Sequence, residues 1–89
     1  MSEIVRRAAA GTLESSDVYV ELEPSDAGIE IELDSVVIRQ FGDEIRRVVG
    51  EVLSEQGVSR AKVRVVDRGA LDCVIRARVE TAVELAKGA

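Results

Sequence analysis

The chain has 89 residues, with 17 acidic against 12 basic side chains, a formal charge of −5, no histidine, one cysteine, one Tyr and one Phe. That length fits one small domain with a limited core, and the acidic balance and scarce aromatics argue against a phosphate-backbone or base-stacking surface. Without histidine there is no Ser–His or Cys–His nucleophile pair, and the lone Cys73 can form neither an internal disulfide nor a thiolate zinc site.

Residues 1–10 carry Arg6 and Arg7, but no apolar run follows them that is long enough for a signal sequence, and no later stretch is long enough to span a membrane. The reading is a single domain over residues 1–89, with 1–10 as a flexible N-terminal segment, in a reducing, cytoplasmic compartment.

Val18, Val20 and Leu22 alternate with Tyr19, Glu21 and Glu23, and Ile29, Ile31 and Leu33 alternate with Glu30, Glu32 and Asp34. This is the period of half-buried strands. Pro24 to Gly28 between them is rich in turn formers, so the two strands are expected to pair as a hairpin. Either register that keeps both apolar faces inward sets glutamates opposite one another. One places Glu21 against Glu30; the other places Glu23 against Glu30 and Glu21 against Glu32, and like charges so placed are destabilising.

From Val37 the period becomes helical, with Ile38, Phe41, Ile45, Val48, Val49 and Val52 on one stripe. Asp34 or Ser35 is placed to cap its start and Gly57 to end it. Gly42 costs a helix interior about 1 kcal/mol relative to Ala, and Gly42-Asp43 can mark a kink or a second start. Ala61 to Asp67 reads as a third strand, with Ala61, Val63 and Val65 inward and Lys62 and Arg64 outward. A closing helix is expected from about Gly69 to Lys87, burying Leu71, Ile75, Val79, Ala82 and Ala86, with Gly88 as its terminator. The order β-β-α-β-α predicts an α+β fold: a single two-layer domain in which a three-stranded, mainly antiparallel sheet packs with two helices.

The outward carboxylates Glu21, Glu23, Glu30, Glu32 and Asp34 do not enclose a cation as a ligand-rich loop does, so no metal site is expected. They are met either by Lys62 and Arg64 of the third strand or by a basic partner surface. Arg78 falls near the centre of the last helix's apolar stripe, where an unpaired guanidinium is costly, and so demands a carboxylate partner at the core edge. Arg76 stands four residues from both Asp72 and Glu80, on the exposed side. Cys73 lies away from the apolar stripe, either partly exposed or covered by another layer, and Asp72 beside it works against thiolate formation.

Gly11-Thr12-Leu13-Glu14-Ser15-Ser16-Asp17 places two serine hydroxyls in a glycine-opened loop ahead of the first strand. On residue types alone this is a turn, since Ser and Asp clusters commonly make one. Together with Gln40-Phe41-Gly42-Asp43-Glu44-Ile45-Arg46 and the segment from Gly69-Ala70-Leu71-Asp72-Cys73 to Glu80, the loop resembles the acyl carrier (gamma) subunits of citrate lyase, nearly end to end. The resemblance implies a non-catalytic carrier. It maps the modified serine onto Ser15, which follows Gly-Thr-Leu-Glu and stands two residues before Asp17, and leaves Ser16 where the family often has glycine.

The implied cofactor is 2'-(5''-phosphoribosyl)-3'-dephospho-CoA, joined to Ser15 through a phosphodiester. Its thiol, and not Cys73, carries acetyl and citryl thioesters during cleavage of citrate to oxaloacetate and acetate. The implied partners are the alpha and beta subunits of citrate lyase and a transferase that attaches the group, with neither nucleic acid nor membrane. Ser35, in Asp34-Ser35-Val36, imitates the Asp-Ser-Leu attachment motif of ordinary acyl carriers, but it follows two strands, and helix capping is its expected role. The alternatives are a carrier for citramalate lyase or malonate decarboxylase, or an unmodified module that docks through its acidic strands.

Overall fold

A computed structural model describes residues 4–88 of the protein. The elements run β1 (Ala8–Gly11), β2 (Val18–Glu23), β3 (Ile29–Ser35), α1 (Ile38–Glu55), β4 (Ala61–Asp67) and α2 (Asp72–Ala86). The fold is α+β, but its sheet has four strands rather than three, in the order β1-β2-β4-β3.

The expected hairpin does not form. β2 and β3 each pair with β4, β2 in antiparallel and β3 in parallel fashion, so β4 separates them. Two physical reasons lie in the chain. A strand followed by a long helix and another strand makes a crossover, which delivers the second strand parallel to the first. The charges agree: Glu21 stands opposite Arg64 and Glu23 opposite Lys62, while on the other side Glu30 faces Lys62 and Glu32 faces Arg64. The basic strand thus replaces the glutamate-against-glutamate contacts of a hairpin with opposite-charge pairs, each worth roughly 0.2–1 kcal/mol.

Residues 1–3 of the segment expected to be flexible lie outside the described residues. From Ile4 onward that segment is part of the fold. Ile4 is buried, the Val5 and Arg6 N–H groups both donate to the Ala86 carbonyl, and Ala8–Gly11 pairs along β2 as an edge strand.

Both helices cover one face of the sheet, α2 across β1 and β2 and α1 beside it near β3. The core between the layers is built from Val18, Val20 and Leu22 of β2, Val63 and Val65 of β4, Val48, Val49, Val52 and Leu53 of α1, and Ile75, Val79 and Val83 of α2. Each such side chain contributes about 1.5–3 kcal/mol on burial. α1 runs unbroken through Gly42, which is buried beside the Ile38 side chain. Gly57, at φ +74°, follows its C-terminus as expected. Neither Asp34 nor Ser35 is its N-cap; Val37 holds that position, and the Ser35 hydroxyl oxygen instead accepts the Val37 N–H at 3.1 Å.

The expected apolar stripes are too long at one end. Ile38, Phe41 and Leu71 are exposed, Leu71 by 71%. α2 begins at Asp72, so Leu71 stands outside its first turn. Arg76 pairs with neither Asp72 nor Glu80, but reaches across to Glu51 and Glu55 of α1, at 2.6 Å each.

Because Lys62 stands between two acidic strands, Lys62→Glu should face carboxylates on both sides. We expect a loss of about 1–2 kcal/mol in urea unfolding at low ionic strength, shrinking markedly in ~1 M salt. A loss that does not respond to salt would contradict the interleaved register.

Candidate functional site: the serine turn and its arginine clamp

Gly11 ends β1 at φ +97°, and a Cβ there would fall 1.8 Å from the Val18 carbonyl oxygen, so only glycine lets the chain leave the strand this closely. Thr12 to Ser16 are exposed. The Asp17 N–H donates to the Glu14 carbonyl at 3.1 Å, which closes a four-residue turn with Ser15 and Ser16 at its two corners. Ser16 has φ +66° and is the one non-glycine residue with positive φ among the described residues. A positive φ at the second corner is the requirement of a type II turn, and glycine meets it at least cost. The serine that follows Ser15 therefore occupies a place physically suited to glycine.

Asp17 anchors this turn. Its carboxylate accepts the Thr12 hydroxyl at 2.7 Å and the Val18 N–H at 2.7 Å, and Arg78 grips it side-on, Nε to Oδ1 at 3.1 Å and Nη2 to Oδ2 at 2.9 Å. The hydrogen bond from Arg78, with those from Thr12 and Val18, holds the carboxyl down to about 2 from its ordinary 3.8. Arg78 thus has the core-edge partner its position demands. Two backbone bonds fix the far side of the turn, Ser16 N–H to the Arg68 carbonyl at 2.8 Å and Arg68 N–H to the Asp17 carbonyl at 2.9 Å. The Ser15 hydroxyl takes part in no hydrogen bond among the described residues and is exposed at the first corner.

Ser35 contrasts with it in every respect. Its hydroxyl donates to the buried Asp67 carboxylate at 2.7 Å and accepts from Val37, while the other Asp67 oxygen accepts the Ala70 N–H. It is committed to joining the ends of β3 and β4. Cys73 is exposed at the second position of α2.

A groove of about 370 Å³ opens between α1 and the loop from β4 to α2, with Val37, Phe41, Ile45, Ala70 and Leu71 as its apolar lining. Glu44 and Asp72 meet at its rim. The facing Glu44 carboxylate pushes the Asp72 carboxyl up, whereas Arg47 holds that of Glu44 down. Periodicity assigned Phe41 and Leu71 to the core and so concealed this groove.

The acidic strands are less of a single-sign surface than their sequence suggests. Arg7 binds Glu21 at 2.8 Å and Arg64 lies 3.7 Å from Glu32, so cations are interleaved across the open face. Among the described residues no group of acidic or cysteine side chains is arranged to hold a metal ion, and no helix is long and apolar enough to cross a membrane.

Among known proteins, the family model described as ACP, malonate decarboxylase delta subunit (MdcD), matches residues 5–86. The citrate lyase acyl carrier protein of Escherichia fergusonii is 56% identical over 82 residues, covering 91% of this chain and 84% of that protein. The one from Lactiplantibacillus plantarum is 51% identical over 84 residues, covering 94% and 88%. The chain belongs to the citrate lyase acyl carrier protein family. The fold recurs in a chain of a Pseudomonas malonate decarboxylase hetero-tetramer solved in complex with malonate, with a TM-score of 0.79, 26% identity and coverage of 91% and 84%. Within the acyl carrier family, this chain is thus about twice as similar to the citrate lyase carriers as to that decarboxylase chain.

The clamp carries a pH signature. Asp17 has a lowered folded pKa, so its contribution to stability is full above the ordinary value of 3.8 and is lost as pH falls through about 2. Arg78→Gln should lower stability at neutral pH and flatten the acid limb between those values. Denaturant titrations across that range check this, and parallel acid limbs in the two proteins would contradict it.

Proposed function

We propose that this chain is the acyl carrier subunit of citrate lyase, and that Ser15 bears 2'-(5''-phosphoribosyl)-3'-dephospho-CoA through a phosphodiester. The observation that carries the proposal is the contrast between an unengaged, exposed hydroxyl at Ser15 and the engaged, half-buried one at Ser35. A transferase needs a hydroxyl it can reach, on backbone that holds still while the ester forms. The turn meets both needs, because Arg78, Arg68 and Thr12 fix Asp17 and Ser16 while leaving Ser15 outside the packed layers.

The chemistry of the site fits the group. Ser15 offers a primary hydroxyl for a phosphodiester, space lies outward from it, and two arginines stand at the turn. When bound, the group supplies a terminal thiol that holds acyl units as thioesters, a task that then does not fall to Cys73. The protein's part is to be a rigid post. Its fold fixes the point from which the tether swings, and tethering raises the effective concentration of the acyl unit at the active sites of the partner subunits.

The partners in this reading are the alpha and beta subunits of citrate lyase and the attaching transferase, with the carrier contributing no catalytic group of its own. Compartment follows from that assembly, and we assign the cytoplasm. Malonate decarboxylase is the alternative assembly, favoured by the likeness to a chain of that hetero-tetramer. The identities of 51% and 56% to citrate lyase carriers favour the first.

When the chain is produced together with the attaching enzymes of a citrate lyase system, its intact mass should exceed that of its sequence. Ser15→Ala should remove the added mass completely without changing the unfolding midpoint appreciably, while Ser16→Gly and Ser35→Ala keep it. Added mass in Ser15→Ala, or its loss only in Ser35→Ala, would overturn the assignment.

A further inference from the structure

The turn that carries Ser15 is bordered by two arginines whose donors are only partly used. Arg68 is bonded through its own backbone to both residues that follow Ser15, receiving the Ser16 N–H and donating to the Asp17 carbonyl. It is exposed, and its guanidinium engages no partner among the described residues. Several other arginines are held by carboxylates: Arg7 by Glu21, Arg47 by Glu44 and Glu51, and Arg76 by Glu51 and Glu55. Arg78 spends Nε and Nη2 on Asp17, and its side chain remains 40% exposed. A guanidinium has five N–H donors, so a side-on grip leaves both donors of Nη1 unused.

In a chain of charge −5, these are cations on the two residues bonded to Ser16 and Asp17, which directly follow the hydroxyl to which an anionic group is to be joined. Glu14 and Asp17 balance Arg68 and Arg78 at the bare turn. Each phosphate brought in adds negative charge to that balance and calls for a donor. Guanidinium groups are the protein's best match for phosphate oxygens, because their planar N–H forks pair with two oxygens at once and are only weakly hydrated.

We propose that Arg68 and the unused edge of Arg78 form an anion site for the phosphate groups nearest Ser15 in the attached arm. The inference rests on the reading of Ser15 as the attachment residue. The root of the arm is then pinned along the side of the turn where β4 leads into α2, and only the distal part beyond the phosphates swings. Arg68 is the residue to change, since Arg78 also holds Asp17.

The test compares the modified chain with its modified Arg68→Gln and Arg68→Glu variants, each checked by intact mass. Phosphorus NMR should show the phosphodiester resonance of the wild type displaced from its position in the urea-unfolded chain, with that displacement collapsing in Arg68→Gln. Modification should also raise the wild-type unfolding temperature at low salt, a gain lost in Arg68→Gln and reversed in Arg68→Glu. Full modification in all three proteins, with identical phosphorus resonances and equal thermal shifts, would overturn the anion site while leaving attachment at Ser15 standing. Failure of the wild type to gain mass at Ser15 would remove the attachment reading, and the anion site with it.

Discussion

The fold depends on β4 standing between β2 and β3. Its outward residues Lys62 and Arg64 are basic, and the strands on either side present glutamates at the matching positions. Its inward residues Ala61, Val63 and Val65 are fully buried under the helices. One strand thus supplies both the centre of the core and the counter-charge for two acidic neighbours. Individually such exposed pairs contribute little. Their collective effect is on arrangement, because pairing β2 directly with β3 would place like charges opposite one another.

The same strand positions the serine turn. β4 ends at Asp67, whose carboxylate gathers Ser35 and Ala70, and the next residue, Arg68, continues the ladder to Asp17 and Ser16. α2 then returns across β1 and β2 and brings Arg78 to Asp17, a contact between residues 61 positions apart in the chain. The turn is therefore tied to the sheet by backbone and to a helix by an ion pair. An exposed loop held at both ends is a fixed post, which is what a tethered group requires if its reach is to be set by the tether alone.

Much of this was legible in the chain, and the gaps have physical reasons. Alternation marked β2 and β4, and the 3.6-residue period marked both helices, because those segments each bury one face. The pairing of the strands was not legible from their periods, since a period fixes which face is inward and not which neighbour lies alongside. The crossover through α1 and the opposite charge of Lys62 and Arg64 were the available signals. β1 escaped notice because Ala8-Ala9-Ala10-Gly11 has no alternation to read. Ile38, Phe41 and Leu71 fit an apolar stripe yet are exposed, Phe41 and Leu71 at the groove, because they stand at or just before the start of each helix, where the chain extends past the layer it covers. Arg78 was legible as a residue needing a partner, but only the tertiary structure names Asp17. The turn itself was legible in outline. What the sequence could not display was that Ser16 adopts the conformation glycine favours, leaving Ser15 as the free corner.

The central claim is a covalent arm on Ser15, and it is tested most directly on the protein from its native source, taken from an active lyase complex. Electron-based fragmentation of the intact chain should place the added mass, with its phosphate, on N-terminal fragments that include Ser15 and on none that stop at Glu14. C-terminal fragments beginning at Ser16 should carry only the mass of their sequence. An added mass on any fragment lacking Ser15, or a bare chain in an active complex, would contradict the account.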